Sequence, residues 1–398
     1  MANKIHHQVM IHEVDVVVVG AGLVGLAAVI ALSAEGKRVA LVDAKERSIK
    51  KQTKAWDTRI YALTPATENW LQDLGVWPLV NSTRVSDVDA MALWNTTSED
   101  ALDLKAEDAN ISKLACIIEN QNLMRALWQK VKALDIPLMT GSPCQNLVYV
   151  EDTIELSLEN GNKVSAALLV AADGANSFVR QQLAVSTKVK AFNQMALVAN
   201  YLAEKGHSNI ARQWFAPHNT LALLPLPGQH VSMVWSVSTE LANELLNLTT
   251  RQLTERVQAQ SQYILGVLKP VSDTVSFELK QVTANKLIAK RVALIGDAAH
   301  QVHPMAGQGA NLGFRDVIAM QAIIAGSHRL QDMGDEVFLR QYERARKADI
   351  LSMNTLTSGL DSWFSSESSA LKKITGFGMN QLNKHPNIKS ILIKQAVA

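Results

Sequence analysis

The chain is poor in cysteine, in net charge and in repetition. Its 398 residues contain two cysteines, Cys116 and Cys144. They have no metal-ligand spacing, which argues against a zinc site and a disulfide framework and suits a reducing compartment. Lysine plus arginine (39) nearly balance aspartate plus glutamate (37), so no overall field draws the chain to nucleic acid, and no such partner is expected. No internal repeat or low-complexity tract occurs. Hydrophobic residues make up 47%, enough for a sizeable core arranged as two domains plus a tail.

One stretch lacks charge altogether. Val16 to Ala34 has no ionisable side chain, long enough for a membrane span or the apolar part of a signal peptide. Its internal order argues otherwise. Four consecutive valines (Val16–Val19) favour a strand, and Gly20, Gly22 and Gly25 then break the run. Lys37–Asp43 follows as a second strand ending in an acid, 18 residues beyond Gly25. Strand, glycine turn, helix, strand and acid together form a dinucleotide fingerprint. The glycines allow close approach to a pyrophosphate at a helix N-terminus, and the acid accepts from a ribose hydroxyl.

Further along, Asp57-Thr58-Arg59 opens a pattern read as helical, with Ile60, Leu63, Leu71 and Leu74 apolar and Pro65 and Pro78 as breaks. Residues 85–112 read as an excursion, and Ile117–Leu134 as a helix with Leu123, Leu127 and Val131 on one face. From Gln145 the period becomes two, with Asn160-Gly161 as a hairpin turn. Ala166–Ala172 is apolar throughout and predicts a strand buried on both faces, ending in Asp173-Gly174. Residues 190–285 predict a second sheet, and the last 80 residues predict helices.

A second glycine-bearing segment specifies the nucleotide. Arg291–Ile295 predicts a strand delivering Gly296-Asp297 to its carboxyl end, where open α/β sheets bind ligands. His303-Pro304 and Gly307-Gln308-Gly309-Ala310-Asn311 follow. Backbone N–H groups of that run, at the start of a helix beginning near Asn311, suit the pyrimidine edge of a flavin, whose reduced form is negative there. The expected cofactor is FAD, with Asp297 accepting from ribityl hydroxyls. Asp173-Gly174 reads either as a plain turn or as a loop braced by Ser177 and Arg180 against the nucleotide. Arg59 reads as a solvated charge or a phosphate or flavin contact. His303 is the one candidate catalytic side chain, although a lone histidine is more often structural. Trp214 and Trp235 are expected in the core, and no metal site is expected.

These residues resemble the class A flavin-dependent aromatic hydroxylases, the para-hydroxybenzoate hydroxylase superfamily, and within it the ubiquinone-biosynthesis hydroxylases. The resemblance rests on Gly20–Gly25 with Asp43, Asp57-Thr58-Arg59, Ile118-Glu119-Asn120, Ala172-Asp173-Gly174, Leu223–Leu226 and Gly296–Asp316, of which Gly307–Asp316 is the most specific. The family's arginine before a Gly-Leu pair is missing near Thr375–Met379. The resemblance implies that Gly20, Gly22, Gly25 and Asp43 hold the ADP half of FAD. Arg59, Asn120, Asp297, Pro304 and Gly307–Asn311 would contact the rest, and Asp173-Gly174 would serve FAD and NAD(P)H use together. It implies an α/β fold: a Rossmann-like FAD-binding domain (1–84, 112–187, 286–340), an inserted β-sheet substrate domain (85–111, 188–285) and a helical C-terminal region (341–398).

The implied reaction uses NAD(P)H to reduce FAD and O2 to form a C4a-hydroperoxyflavin, which hydroxylates the ring of a polyprenylated phenol. Only one complete dinucleotide fingerprint is present, so no second Rossmann domain for the nicotinamide is expected. Rival readings are a hydroxylase of a soluble aromatic metabolite, a flavin reductase or dehydrogenase without oxygen transfer, and an FAD-bearing scaffold subunit. The tail favours the lipid substrate: Leu371–Ala398 has five lysines (372, 373, 384, 389, 394), no acid and many apolar residues. It is expected to dock on the membrane surface, on the inner face of the cytoplasmic membrane, or on a ubiquinone-biosynthesis complex there. The alternative is that its apolar residues pack on the FAD domain with the lysines outward.

Overall fold

A computed structural model describes residues 11–46, 53–95, 101–302, 309–328, 330–364 and 385–397. β-Branched side chains stiffen Val16–Val19 toward extended backbone, and the strand Ile11–Val19 buries all four of these valines. It pairs in parallel with Val39–Asp43 on one side and Lys163–Ala171 on the other. Val292–Leu294 adds in parallel beyond Lys163–Ala171, and Leu138–Thr140 beyond Val39–Asp43. The parallel strands therefore end on one common edge. The helix Leu23–Ala34 buries nearly every residue against this sheet and between the helices Asn120–Lys132 and Gly309–Ala325. That burial explains the uncharged run: a helix covered on all sides needs no polar face. Among the described residues no helix is long and apolar enough to cross a membrane.

The second sheet has nine strands and is mostly antiparallel, built around Thr187–Ala203, Ile210–Ala216, Asn219–Pro225, His230–Ser238 and Val275–Ala284. One face packs Leu197, Tyr201, Trp214, Leu223, Met233 and Trp235 in a core with residues of the helices Thr239–Leu246 and Thr250–Gln260. Trp214 stacks on Trp94 at 4.9 Å there, so both expected core tryptophans are in the core. The opposite face carries Ala196, Val198, Asn200 and Ser232 and turns toward the parallel sheet. Asn200 Nδ2 donates to the Asp57 carbonyl at 3.0 Å, and the Trp56 ring lies 5.1 Å from that of His230.

Two segments differ from the expected periodicity. Ile60–Leu63 is a strand, and the helix begins only at Pro65, where Thr64 Oγ1 accepts from Thr67 N and proline occupies the first helical turn. Likewise Ala115–Glu119 is a strand and the helix is Asn120–Lys132. Both apolar strands pair with each other, and Val85–Val88 completes this three-stranded sheet. Short apolar runs of this kind fit either period, and here the pairing decides. The 85–112 excursion divides: Ala90–Asn95 and Leu102–Lys105 join the nine-stranded sheet instead.

The C-terminal helix Pro386–Val397 docks on the 3-10 turn Ala106–Ala109. Ile393 is buried among Val88, Ala109, Leu114, Ile117, Ala211 and Leu226, a cluster drawing on both halves of the molecule. Lys389 is also buried, and its Nζ meets Asp108 Oδ2 at 2.9 Å. The expectation of five free tail lysines therefore fails at Lys389, which points inward. Lys394 is exposed, and Lys372, Lys373 and Lys384 lie outside the described residues.

Candidate active site

The glycine loop is assembled by the ends of three parallel strands. Gly20 N donates to Val42 O at 2.7 Å, and Ala172 N to Val19 O at 2.8 Å. Gly20 has φ +107°, and a Cβ there would strike the Ala172 carbonyl. Only glycine satisfies both conditions. A Cβ on Gly25 would strike the Gly20 carbonyl, whereas nothing lies within 4 Å of the Gly22 position. The loop is tight on the protein side and open on the other.

Asp43 is buried at the end of its strand and binds the same loop. Its Oδ2 accepts from Ala21 N at 2.6 Å and its Oδ1 from Lys45 N at 2.7 Å. Asp173 stands on the far side of Gly20. Its Oδ2 accepts from Val179 N at 3.2 Å, while its Oδ1 is buried without a hydrogen-bond partner. Burial pushes its carboxyl pKa up. Gly174 takes φ +85° and turns the chain into a short helix capped by Ser177. Arg180 donates to Ala298 O at 2.8 Å and to Ala175 O at 2.5 Å, tying this loop to the Gly296–Ala298 turn.

Arg59, Tyr61 and Asn120 form a second group. Asn120 N donates to Arg59 O at 2.8 Å, and Tyr61 Oη donates to Asn120 Oδ1 at 3.1 Å. The exposed Arg59 guanidinium lies 5.6 Å from the Tyr61 ring centroid. Burial drives the Tyr61 pKa up to about 12; Arg59 opposes this, and the charges of Asp297 and Asp57 add to it. Asp297 is thus within electrostatic reach of this group, its own Oδ2 accepting from Gln301 Nε2 at 3.4 Å.

The helix Gly309–Ala325 begins two residues before the expected position. Among the described residues nothing lies within 4 Å of a Cβ at Gly309, and Ala310 is half-buried. Asn311 is fully buried, and its side chain is a staple. Its Oδ1 accepts from Thr64 N and Thr67 Oγ1, and its Nδ2 donates to Ala62 O at 2.8 Å. That leaves its backbone, in the first helical turn, as the part able to face a cofactor. His303, Pro304, Gly307 and Gln308 lie outside the described residues.

Two positioning networks carried no local sequence signal. Asp316, fully buried in the helix Gly309–Ala325, accepts from Gly296 N, His300 Nε2 and Arg346 Nε, each at 2.7 Å. Burial works to raise its pKa, but His300, Arg346 and the Gly296 N–H outweigh it and hold the pKa below the ordinary value. Glu119 likewise takes a two-pronged pair from Arg84 at 2.6 Å, and its Oε1 accepts from Asp57 N at 2.6 Å. Arg84 in turn lies 3.9 Å over the Trp56 ring. These contacts fix the segment that carries Arg59, and the partners are separated by tens of residues in sequence.

A family model described as an FAD binding domain matches residues 13–354. The chain belongs to that FAD-binding family. It is 29% identical to the mitochondrial ubiquinone biosynthesis monooxygenase COQ6 of Danio rerio, over 94% of this chain and 88% of that one. It is 28% identical to the ubiquinone hydroxylase UbiL of Rhodospirillum rubrum, over 96% and 89%. The 3-demethoxyubiquinol 3-hydroxylase of Escherichia coli is 29% identical over 90% of each chain. In fold, it resembles the p-nitrophenol 4-monooxygenase PnpA of Pseudomonas putida (TM-score 0.78, 16% identity, 97% and 98% covered). It also resembles Klebsiella pneumoniae HpxO complexed with FAD and uric acid (TM-score 0.74, 18% identity, 97% and 96% covered).

The residues present fit an FAD. The helix Leu23–Ala34 starts at Gly22 with no side-chain cap and no acid in its first turn, so its leading N–H groups are available to a pyrophosphate. The helices that follow Thr64, Ser177, Ser238 and Thr249 carry side-chain caps, whereas Asn120–Lys132 also starts without one. Open space beside Gly22 and Gly309 and the unpartnered Asp173 Oδ1 are the remaining features that a dinucleotide would use. Among the described residues no cluster of His, Cys, Asp or Glu could hold a metal ion.

Proposed function

We propose that the protein is an FAD-dependent monooxygenase that hydroxylates the aromatic ring of a polyprenylated phenol in ubiquinone biosynthesis, with NAD(P)H as electron donor and O2 as co-substrate. The observation that carries this reading is the FAD-family match across residues 13–354 in a chain similar, over at least nine-tenths of its length, to ubiquinone hydroxylases. Bound FAD supplies electron transfer from the nicotinamide and the activation of O2.

The protein's own contribution is binding, orientation and water exclusion. The uncapped start of Leu23–Ala34 binds the pyrophosphate, with Gly20, Gly22 and Gly25 allowing the approach. Asp43 accepts from the adenosine ribose. Asp297, Arg59 and Asn120 would hold the ribityl and flavin portion, with Asp173-Gly174 beside them. The N-terminal turn of Gly309–Ala325, with Gly309, Ala310 and the Asn311 backbone, places N–H groups and the positive end of a helix dipole where negative charge grows on reduction. Pro304, Gly307 and Gln308 belong to the same cradle in this reading, and His303 is its one candidate proton-handling group. Val198 and Asn200, buried on the seam face of the nine-stranded sheet, would help keep water from the reacting ring. We place the enzyme peripherally on the inner face of the cytoplasmic membrane, or on a biosynthetic complex there, because the substrate is bilayer-soluble.

Deleting the protein from its source cell and identifying the lipid that accumulates tests the assignment. The reading requires a prenylated phenol lacking one ring hydroxyl. Normal ubiquinone with a missing soluble aromatic product would favour the soluble-substrate rival, and loss of several ring modifications at once would favour the scaffold.

A further inference from the structure

The outer edge of the nine-stranded sheet exposes a row of apolar side chains that neither the flavin site nor the core uses. Val267 is 53% exposed, Val271 37%, Val275 43% and Phe277 46%. Register puts all four on one face. Val275 lies opposite Val198 and Phe277 opposite Ala196. Pro270 lies opposite Tyr201, which sets Val271 against Asn200, and Val271 N indeed donates to Asn200 O at 2.9 Å. Glu204 N donates to Val267 O at 2.9 Å, placing that pair next along the edge. Alternation makes this the face of Ala196, Val198 and Asn200, the one that meets Asp57 rather than the helices. Among the described residues no strand pairs with the outer side of 275–279.

Charge follows the same face. Lys269, opposite Leu202, stands between Val267 and Val271, while Lys190 and Lys188, opposite Gln281 and Thr283, lie farther along the same strand pair, beyond the register shift between Ala191 and Gln194. All three lysines are exposed. The acids nearby are Glu204, whose Oε2 already accepts from Val267 N at 2.8 Å, Asp273 in the connecting turn, and Glu278, which the register puts on the other face. A row of exposed apolar residues rimmed by lysines is unusual on a monomer surface and suits an anionic lipid interface.

We propose that this edge, Val267 to Phe277 with Lys269, Lys188 and Lys190, is the surface that docks on the bilayer, so that the mouth of the seam between the two sheets opens onto lipid. The inference rests on the lipid-substrate reading above and adds where the membrane is met. The C-terminal helix plays a lesser part, because Lys389 and Ile393 are turned inward.

Flotation of the purified full-length protein with vesicles of phosphatidylcholine and phosphatidylglycerol tests it, using a Val275→Thr, Phe277→Thr variant that puts strand-favouring β-branched residues at both positions. The bound-to-free ratio should fall about tenfold or more, the scale expected when two apolar side chains no longer insert. FAD content and melting temperature should be unchanged. Phe277→Trp should bind at least as well as wild type. Changing Lys188, Lys190 and Lys269 to Gln should weaken binding at low salt yet leave the apolar component at high salt. Equal flotation of the threonine variant and wild type overturns the proposal, as does a wild type that does not float. A threonine variant that floats normally but loses a concentration-dependent dimer on gel filtration also overturns it, making the edge a subunit contact. Hydroxylation of substrate in detergent micelles bypasses docking, so loss of that activity in wild type would sink the functional reading alone.

Discussion

Asp43 gives both carboxylate oxygens to backbone N–H groups of the loops it must hold open, and a ribose would share them. Asp43→Asn removes charge at that point, so FAD affinity should fall by about 1.5–3 kcal/mol, the scale of a hydrogen bond to an ionised group. Titrating apoprotein with FAD reads this directly, and an unchanged dissociation constant would reduce Asp43 to a loop brace. Asp316 is different in kind. It touches no open space and acts by holding Gly296, His300 and Arg346. Because its pKa is lowered in the folded state, it adds stability that is present above its unfolded pKa of about 3.9 and lost as pH falls through the folded value. Asp316→Asn leaves Arg346 with Asp349 as its remaining carboxylate and should cost about 1.5–3 kcal/mol at neutral pH, the scale of hydrogen bonds to an ionised group. Urea melts at pH 7 and pH 3 should show the difference shrinking as pH falls below about 3.9. Equal midpoints at pH 7 would contradict the network's role.

At the scale of elements, the two glycine segments should fail in different ways. Gly20→Ala puts a methyl group into the Ala172 carbonyl at a positive φ, so the protein should lose its fold or its solubility. A Cβ at Gly309 meets no described residue within 4 Å, so Gly309→Val should melt like wild type while impairing flavin reduction. If stopped-flow reduction of the Gly309→Val protein matches wild type, the helix start is not at the flavin. This division was legible in part. The strand–turn–helix around Gly20 could be read from four valines and three glycines, because the motif is local and each residue type is dictated by its backbone. Ile60–Leu63 and Ala115–Glu119 could not. Each is an apolar run of a few residues followed by a true helix, and what makes it a strand is a partner more than fifty residues away. Separations of 30 and 35 residues likewise hid Asp316 with Arg346 and Glu119 with Arg84. A buried ion pair leaves no periodic trace. Asn311 was read as a cofactor residue from its place in the motif, whereas its side chain holds Thr64, Thr67 and Ala62 together.

For the whole molecule, the two sheets meet along a seam whose contacts come from Asn200, Trp56 and the C-terminal helix. Ile393 sits in a cluster shared by Ile117 of the small sheet and Ala211 and Leu226 of the large one. Ile393→Ala should therefore cost about 2–5 kcal/mol, as for a large-to-small change in a core, and should expose the C-terminal helix to limited proteolysis. A variant as protease-resistant as wild type would mean that the helix is not held at this site. The tail's composition points to a basic segment docked on a membrane or partner, or packed with its lysines outward, and packing turns one of those lysines, Lys389, into a fastening. All of these parts serve a single claim, that the seam holds FAD over an aromatic ring and transfers one oxygen atom from O2. The most direct test is to supply purified protein with NAD(P)H, a prenylated phenol and 18O2, then weigh the product. The account predicts a ring-hydroxylated product carrying one 18O atom, formed only when FAD is bound. NAD(P)H oxidation that yields no labelled product, or a product whose new oxygen comes from water, would contradict it.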